Sequence, residues 1–131
     1  MVRYNAAHPG AEREVFPHLG DNPPGVVSYV TTRWGTLPKS KHTPKGEQTP
    51  TGTDCYRFAM SNPHVDICLS GPANAEQLDL TLAALDRGPM TEHELAWMRR
   101  VGSHVRVAAR SAWRGVGMAV MDRVMGGKAE T

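Results

Sequence analysis

Gly25-Val26-Val27-Ser28-Tyr29-Val30-Thr31-Thr32 decides how this chain folds. The segment is β-branched and almost continuously apolar, the pattern of a strand covered on both faces in a parallel sheet. Asp21-Asn22-Pro23-Pro24-Gly25, just ahead of it, is a turn by composition. Two further segments have strand character. Residues 1–5 open without a cap or turn, and Val65-Asp66-Ile67-Cys68-Leu69 reads as a second short buried strand closed by Ser70-Gly71-Pro72.

Helical signals lie between and after these strands. Val15, Phe16 and Leu19 have helical spacing within residues 11–19, with Pro17 limiting the length. Residues 33–53 form a Pro-, Lys-, Thr- and Gly-rich loop, long enough to be functional or mobile. Thr53 reads as the cap of a helix through Cys55, Phe58 and Ala59, ended by Asn62-Pro63. Asn74 caps the next, with Gln77 three residues on as in a capping box, Leu78, Leu82 and Leu85 as its apolar stripe, and Gly88-Pro89 as its stop. Thr91 with Glu94 opens another, in which Leu95, Met98, Val101, Val105, Ala108 and Ala112 keep helical period. Gly115 and Gly117 weaken it, so that Met118, Met121 and Met125 are expected as a separate turn or two before a frayed tail at residues 126–131. Strands alternate with helices and no hairpin signal occurs, which predicts right-handed parallel crossovers. Three parallel strands leave open sheet edges, which partners or further chain would cover.

The 131 residues are the size of one domain. Fifteen basic and thirteen acidic side chains leave a net charge of +2, too little for a global field that recruits nucleic acid or membrane, and neither is expected as a partner. Cys55 and Cys68 cannot form a disulfide framework; each reads as a small buried hydrophobe in a reducing, cytoplasmic setting. No run of about 18 apolar residues occurs, and the start lacks a signal-peptide core. His93-Glu94-Leu95-Ala96-Trp97 misses the zinc-protease pattern at Trp97, and His93 and His104 stand about 16 Å apart along a helix, so no metal site is expected. Gly115-Val116-Gly117-Met118-Ala119-Val120 fails the dinucleotide glycine pattern at Val120. Arg106, Arg110 and Arg114 form a basic stripe that reads as a solvated helix face.

Three stretches together resemble the C-terminal part of an aldo/keto reductase: Arg3-Tyr4-Asn5-Ala6-Ala7-His8, the run from Val26-Val27-Ser28-Tyr29 to Arg33-Trp34-Gly35-Thr36-Leu37, and Gly71-Pro72-Ala73-Asn74-Ala75-Glu76-Gln77-Leu78. The resemblance covers residues 1 to about 102. It implies that the strands are the sixth, seventh and eighth of a (β/α)₈ TIM barrel, a fold of about 250 residues. By the same resemblance, the family's catalytic Asp, Tyr, Lys and His belong to the earlier strands, and none carries over to this chain. What carries over is the nucleotide side. Tyr29 matches the aromatic residue that stacks on the nicotinamide. Thr31, Thr32, Arg33, Trp34 and Gly35 match the loop along the pyrophosphate. Gly71, Pro72 and Asn74 match the turn that aims a helix N-terminus at phosphate, and Gln77 lies in its first turn, within reach of the adenosine. The sequence departs from the family at Leu80 and Thr81, where Glu-Asn usually reads the adenine, and at Met1, where a Gln is common. Gly71 and Ala73 carry no cation that would mark NADP over NAD.

The expectation is therefore an α/β chain: a C-terminal half-barrel over residues 1–113, about three parallel strands with flanking helices, and a tail over 114–131. Its expected function is that of a partial NAD(P)H-dependent oxidoreductase, itself inactive in carbonyl reduction. The rival expectation is a non-catalytic half-barrel that assembles with itself or with a separate N-terminal half.

Overall fold

The computed structural model describes residues 1–125; the tail expected at residues 126–131 lies outside them. The elements in order are β1 (Val2–Arg3), α1 (Ala11–Glu14), β2 (Val27–Tyr29), α2 (Gly52–Met60), β3 (Ile67–Cys68), α3 (Ala75–Arg87) and α4 (Glu92–Met125), with 3₁₀ turns at Phe16–His18 and Ser40–His42. The three strands lie side by side in the order β1-β2-β3, and both pairings are parallel, with Val2 opposite Ser28 and Ser28 opposite Cys68. Chain order equals sheet order, as expected when each crossover carries the chain to the adjacent position.

The strands are shorter and less covered than their sequence predicts. Ser28 is fully buried, but Tyr29 is 37% and Ile67 54% exposed. A sheet three strands wide leaves β3 as an edge, so the apolar run 65–69 is not enclosed. Pro17 does not shorten one helix over 11–19 but divides it: α1 stops at Glu14 and a 3₁₀ turn follows with Pro17 in its first turn.

The core gathers around Tyr4, whose ring meets Phe16 edge-on at 5.4 Å and stacks on Phe58 at 5.7 Å. Leu37, Cys55, Met98, Val101 and Val105 complete it. Helix α2 is capped by Thr51, not Thr53, because the capping carboxylate is Asp54: Asp54 N donates to Thr51 Oγ1 at 3.2 Å and Thr51 N to Asp54 Oδ2 at 2.9 Å. Thr53 instead donates its hydroxyl to Leu80 O at 2.7 Å, tying α2 to α3.

Asn74 caps α3 by accepting from Gln77 N at 2.9 Å, but the expected box does not close, because Gln77 Oε1 accepts from Ala73 N and not from Asn74 N; Gly88 ends the helix at φ 67°. The leucine stripe of α3 is the largest departure. Leu78, Leu82 and Leu85 are 43%, 49% and 66% exposed, and the residue turned inward is Ala84. Helix α3 comes close to α2 through a small residue and a backbone carbonyl, which rotates the leucines away.

Helix α4 opens with the expected capping box, Thr91 N donating to Glu94 Oε2 at 2.8 Å and Glu94 N to Thr91 Oγ1 at 3.3 Å. It then runs unbroken to Met125, through Gly115 and across the expected 113/114 boundary, so the methionine turns are not separate. Helical hydrogen bonding outweighs the local cost of a glycine, about 1 kcal/mol. Its apolar stripe is buried only to Val105; Val107, Trp113 and Val116 are exposed. The long loop before α2 is fastened to α4 by Trp97 Nε1 donating to Gln48 O at 3.1 Å and by an Arg100–Glu47 ion pair at 2.6 Å. Among the described residues no helix is long and apolar enough to cross a membrane.

Candidate functional site

The carboxyl ends of parallel strands are where α/β sheets bind ligands, because the loops there diverge and leave a crevice. In this chain those loops are residues 4–8, 30–37 and 69–74. The first two are joined by Asn5, fully buried, which donates from Nδ2 to Val30 O at 2.8 Å and accepts at Oδ1 from Ala7 N and His8 N at 2.9 Å each. Beyond Val30 the backbone is left-handed at Arg33, Trp34 and Gly35 (φ 53°, 52° and 70°), and Gly35 N donates to Thr32 Oγ1 at 3.1 Å. This tight coil sends alternate side chains to different sides of the loop.

A cavity of ≈ 460 Å³ opens between that coil and the start of α3. Six of the ten residues proposed from sequence line it: Thr32, Trp34, Gly35, Gly71, Pro72 and Gln77. Tyr29, Thr31, Arg33 and Asn74 do not. Tyr29 sits in β2 opposite Arg3. Thr31 is buried, its hydroxyl 3.1 Å from Cys68 Sγ. Asn74 is committed to capping α3. Arg33 lines a separate groove with His8, Arg106, Ala109, Arg110, Trp113 and Arg114.

Sequence reasoning overlooked Pro38, Gly52 and Tyr56 as lining residues, and Leu80 and Thr81 appeared there only as departures from a family pattern. Leu80 and Thr81 follow Gln77 by one helical turn, so the α3 periodicity carries that signal. Tyr56 is brought in by the packing of α2 on α3 and has no local signature.

The cavity offers an exposed indole (Trp34), a tyrosine ring, Leu80, and the hydroxyls of Thr32 and Thr81. Thr81 Oγ1 donates to Gln77 O at 2.9 Å and lies 3.2 Å from Ser70 Oγ. Gln77 uses Oε1 to accept from Ala73 N at 2.9 Å, which holds the turn after β3 against the helix. Among the described residues no charged side chain lines the cavity. It is thus suited to a planar, weakly polar ligand body with few hydrogen-bonding groups.

The buried tyrosine of the core is held in its protonated form. Tyr4 OH donates to Glu12 Oε1 at 2.6 Å and accepts from Asn62 Nδ2 at 3.1 Å. Burial, then the bond to Glu12, push the phenol well above its ordinary range. Among the described residues no group of three or more His, Cys, Asp or Glu side chains is placed to hold a metal ion. Comparison with protein-family models, curated proteins and solved structures returns no match for the chain.

Proposed function

We propose that this chain is a partial NAD(P)H-dependent oxidoreductase of the aldo/keto reductase type, the C-terminal half of a (β/α)₈ barrel that retains part of the dinucleotide site. The observation that carries the reading is the cavity at the carboxyl ends of β2 and β3, which unites Thr32, Trp34, Gly35, Gly71, Pro72 and Gln77. The parallel order β1-β2-β3 supports it, since the sixth to eighth staves of such a barrel run so.

The residues present fit one end of a dinucleotide better than the whole. Trp34 offers a flat face to a base, the hydroxyls of Thr32 and Thr81 and the Gln77 amide nitrogen serve ring and ribose, and the N-terminus of α3 favours an anion. When bound, the nicotinamide supplies a hydride; this chain binds and orients the nucleotide and contributes no proton donor. Carbonyl reduction then needs residues from a second polypeptide or a longer one.

Titration of the chain with NADPH while tryptophan emission is recorded tests the reading. Saturable quenching is expected, and it is expected to disappear in Trp34→Phe, which leaves Trp97 and Trp113 as emitters. Absence of saturable quenching up to millimolar nucleotide overturns it. No aldehyde-dependent oxidation of NADPH is expected from the chain by itself.

A second reading is favoured by a specific observation. Leu78, Leu82 and Leu85 on α3 and Ile67 and Leu69 around β3 are all exposed, next to an open sheet edge. Such a surface suits a half-barrel that assembles with itself or with a complementary half. Sedimentation equilibrium decides: a monomer at all concentrations argues against self-assembly.

A further inference from the structure

The ten arginines whose side chains are described divide into two populations. Arg13, Arg57, Arg87, Arg99 and Arg100 each have a carboxylate partner within 4.0 Å. Among the described residues, Arg3, Arg33, Arg106, Arg110 and Arg114 have none, and these five lie together. Arg33, Arg106, Arg110 and Arg114 line one groove of ≈ 510 Å³ with His8 and Trp113. Arg3 flanks the neighbouring depression, which Arg106 and Arg110 also line. Arg13 and Glu14 also line that depression and are paired with each other. Among the described residues no acidic side chain lines the groove itself.

The walls come from different parts of the chain. Helical geometry sets Arg106, Arg110 and Arg114 in a row with about 6 Å of rise between neighbours. The left-handed coil at Arg33 delivers a fourth guanidinium from the opposite wall, and its Nε is buried without a hydrogen-bond partner. His8 is held below the usual imidazole range, first by burial and then by the charges of Arg3, Arg33 and Arg106, which places those three cations around it. Burial and Arg3 likewise lower Arg33. Like charges gathered without counter-charges repel, and a bound anion removes that cost.

We propose that this groove is a binding site for a compact ligand carrying two or more phosphate groups. Guanidinium forks on facing walls suit bidentate contact with phosphate oxygens. The exposed Trp113 indole at the rim suits a planar group attached to them. A concave site with cations on two walls favours a small polyphosphate over a flat bilayer, which would meet only the outer face of α4. The site is distinct from the cavity beside α3, because Arg33 faces this groove while its neighbours Thr32, Trp34 and Gly35 face the other.

Calorimetric titration of the full chain with inorganic tripolyphosphate at low salt tests this. Saturable one-site binding is expected. Arg110→Ala, an exposed helical position that leaves the core untouched, is expected to weaken it about tenfold, as is Arg33→Ala. Arg13→Ala, outside the groove, is expected to leave it unchanged. Equal loss in Arg13→Ala and Arg110→Ala means diffuse charge attraction and overturns the proposal, as does no binding at millimolar tripolyphosphate. Two further arms identify a different occupant. Affinity that grows with the length of a single-stranded oligonucleotide assigns the stripe to a nucleic-acid backbone. Cosedimentation with phosphatidylserine vesicles that tripolyphosphate does not reverse assigns it to a membrane. Either result overturns the compact-ligand assignment.

Discussion

Asn5 Nδ2 donates to the carbonyl of Val30 at 2.8 Å, and Val30 has a φ of 60°. A β-branched residue avoids the left-handed region, so this backbone turn is held by its surroundings. Asn5 does the holding, with its buried amide donating to Val30 and accepting twice from the loop that follows it. The turn begins the coil that sends Arg33 to one side and Trp34 to the other. Asn5→Ala is therefore expected to cost about 3 kcal/mol by leaving several buried groups unpaired, and Val30→Gly to gain about 1 kcal/mol. Urea unfolding of the two variants measures both; equal midpoints would disprove the strain argument.

The ion pair between α2 and α4 sets an acid limit. Arg57, 4% exposed, donates to Glu94 at 2.6 and 3.0 Å and to the carbonyls of Gly88 and Pro89 at 2.9 and 3.1 Å. The Arg57 guanidinium, followed by the Thr91 backbone N–H, draws the Glu94 carboxyl down to about 2. A carboxylate depressed in the folded state contributes stability that is complete above its unfolded value of about 4.3 and is lost as pH falls toward 2. Melting temperatures of Glu94→Gln and the parent, followed between pH 6 and about 2, are expected to converge on acidification. A constant difference contradicts the assignment. Arg57→Ala is expected to cost about 3 kcal/mol or more, because it strands a carboxylate and two carbonyls.

The two thiols differ in access. Cys55 is buried, and burial followed by Asp54 pushes its pKa far above the ordinary thiol range. Cys68 is partly open, beside Thr31. Thiolate is the reactive species, so a disulfide reagent at neutral pH is expected to modify Cys68 promptly and Cys55 only after urea is added. Two equally fast thiols would show that the core around Tyr4 is not formed.

Gly71 lines the cavity beside α3, and a Cβ there meets nothing within 4 Å. Gly71→Leu is therefore expected to fill the cavity mouth without disturbing the fold. NADPH affinity is expected to fall at least about tenfold while the melting temperature holds. Unchanged affinity would move the nucleotide elsewhere.

Much of the fold was legible because its determinants are local. The β-branched run around Val27 and the alternation of strands with helices gave the parallel order. The caps at Asn74 and Thr91 and the stop at Gly88 are short-range chemistry that survives folding, although Gln77 closes onto Ala73 N and not onto Asn74 N. The errors arise where distance in sequence decides. Thr51 and Thr53 are both competent caps, and only the Asp54 carboxylate separates them. The leucines of α3 have a helical stripe, yet Ala84 takes the buried face and leaves them exposed. Arg57 has no sequence signature, since Glu94 lies 37 residues away. The site split for the same reason: the run from Thr31 to Gly35 reads as one loop, but its left-handed backbone distributes its side chains to separate cavities.

Two glycines of α4 have opposite roles, and substituting them tests how the helix is seated. A Cβ at Gly102 would fall inside the Ala6 carbonyl and only 2.8 Å from Ala6 Cβ, so α4 reaches the loop after β1 through backbone contact. Neither partner is the end of a flexible side chain that could move aside. Gly102→Ala is expected to lose about 3 kcal/mol through overpacking, despite the better helix propensity of alanine. A Cβ at Gly115 meets nothing within 4 Å, and the flanking Trp113 and Val116 are exposed. There the propensity acts alone, and Gly115→Ala is expected to raise helicity and add up to about 1 kcal/mol where the helix is cooperative with the core. Circular dichroism at 222 nm during urea unfolding reports both quantities. If Gly102→Ala proves as benign as Gly115→Ala, α4 does not rest on Ala6, and the groove it forms with His8 and Arg33 loses its wall.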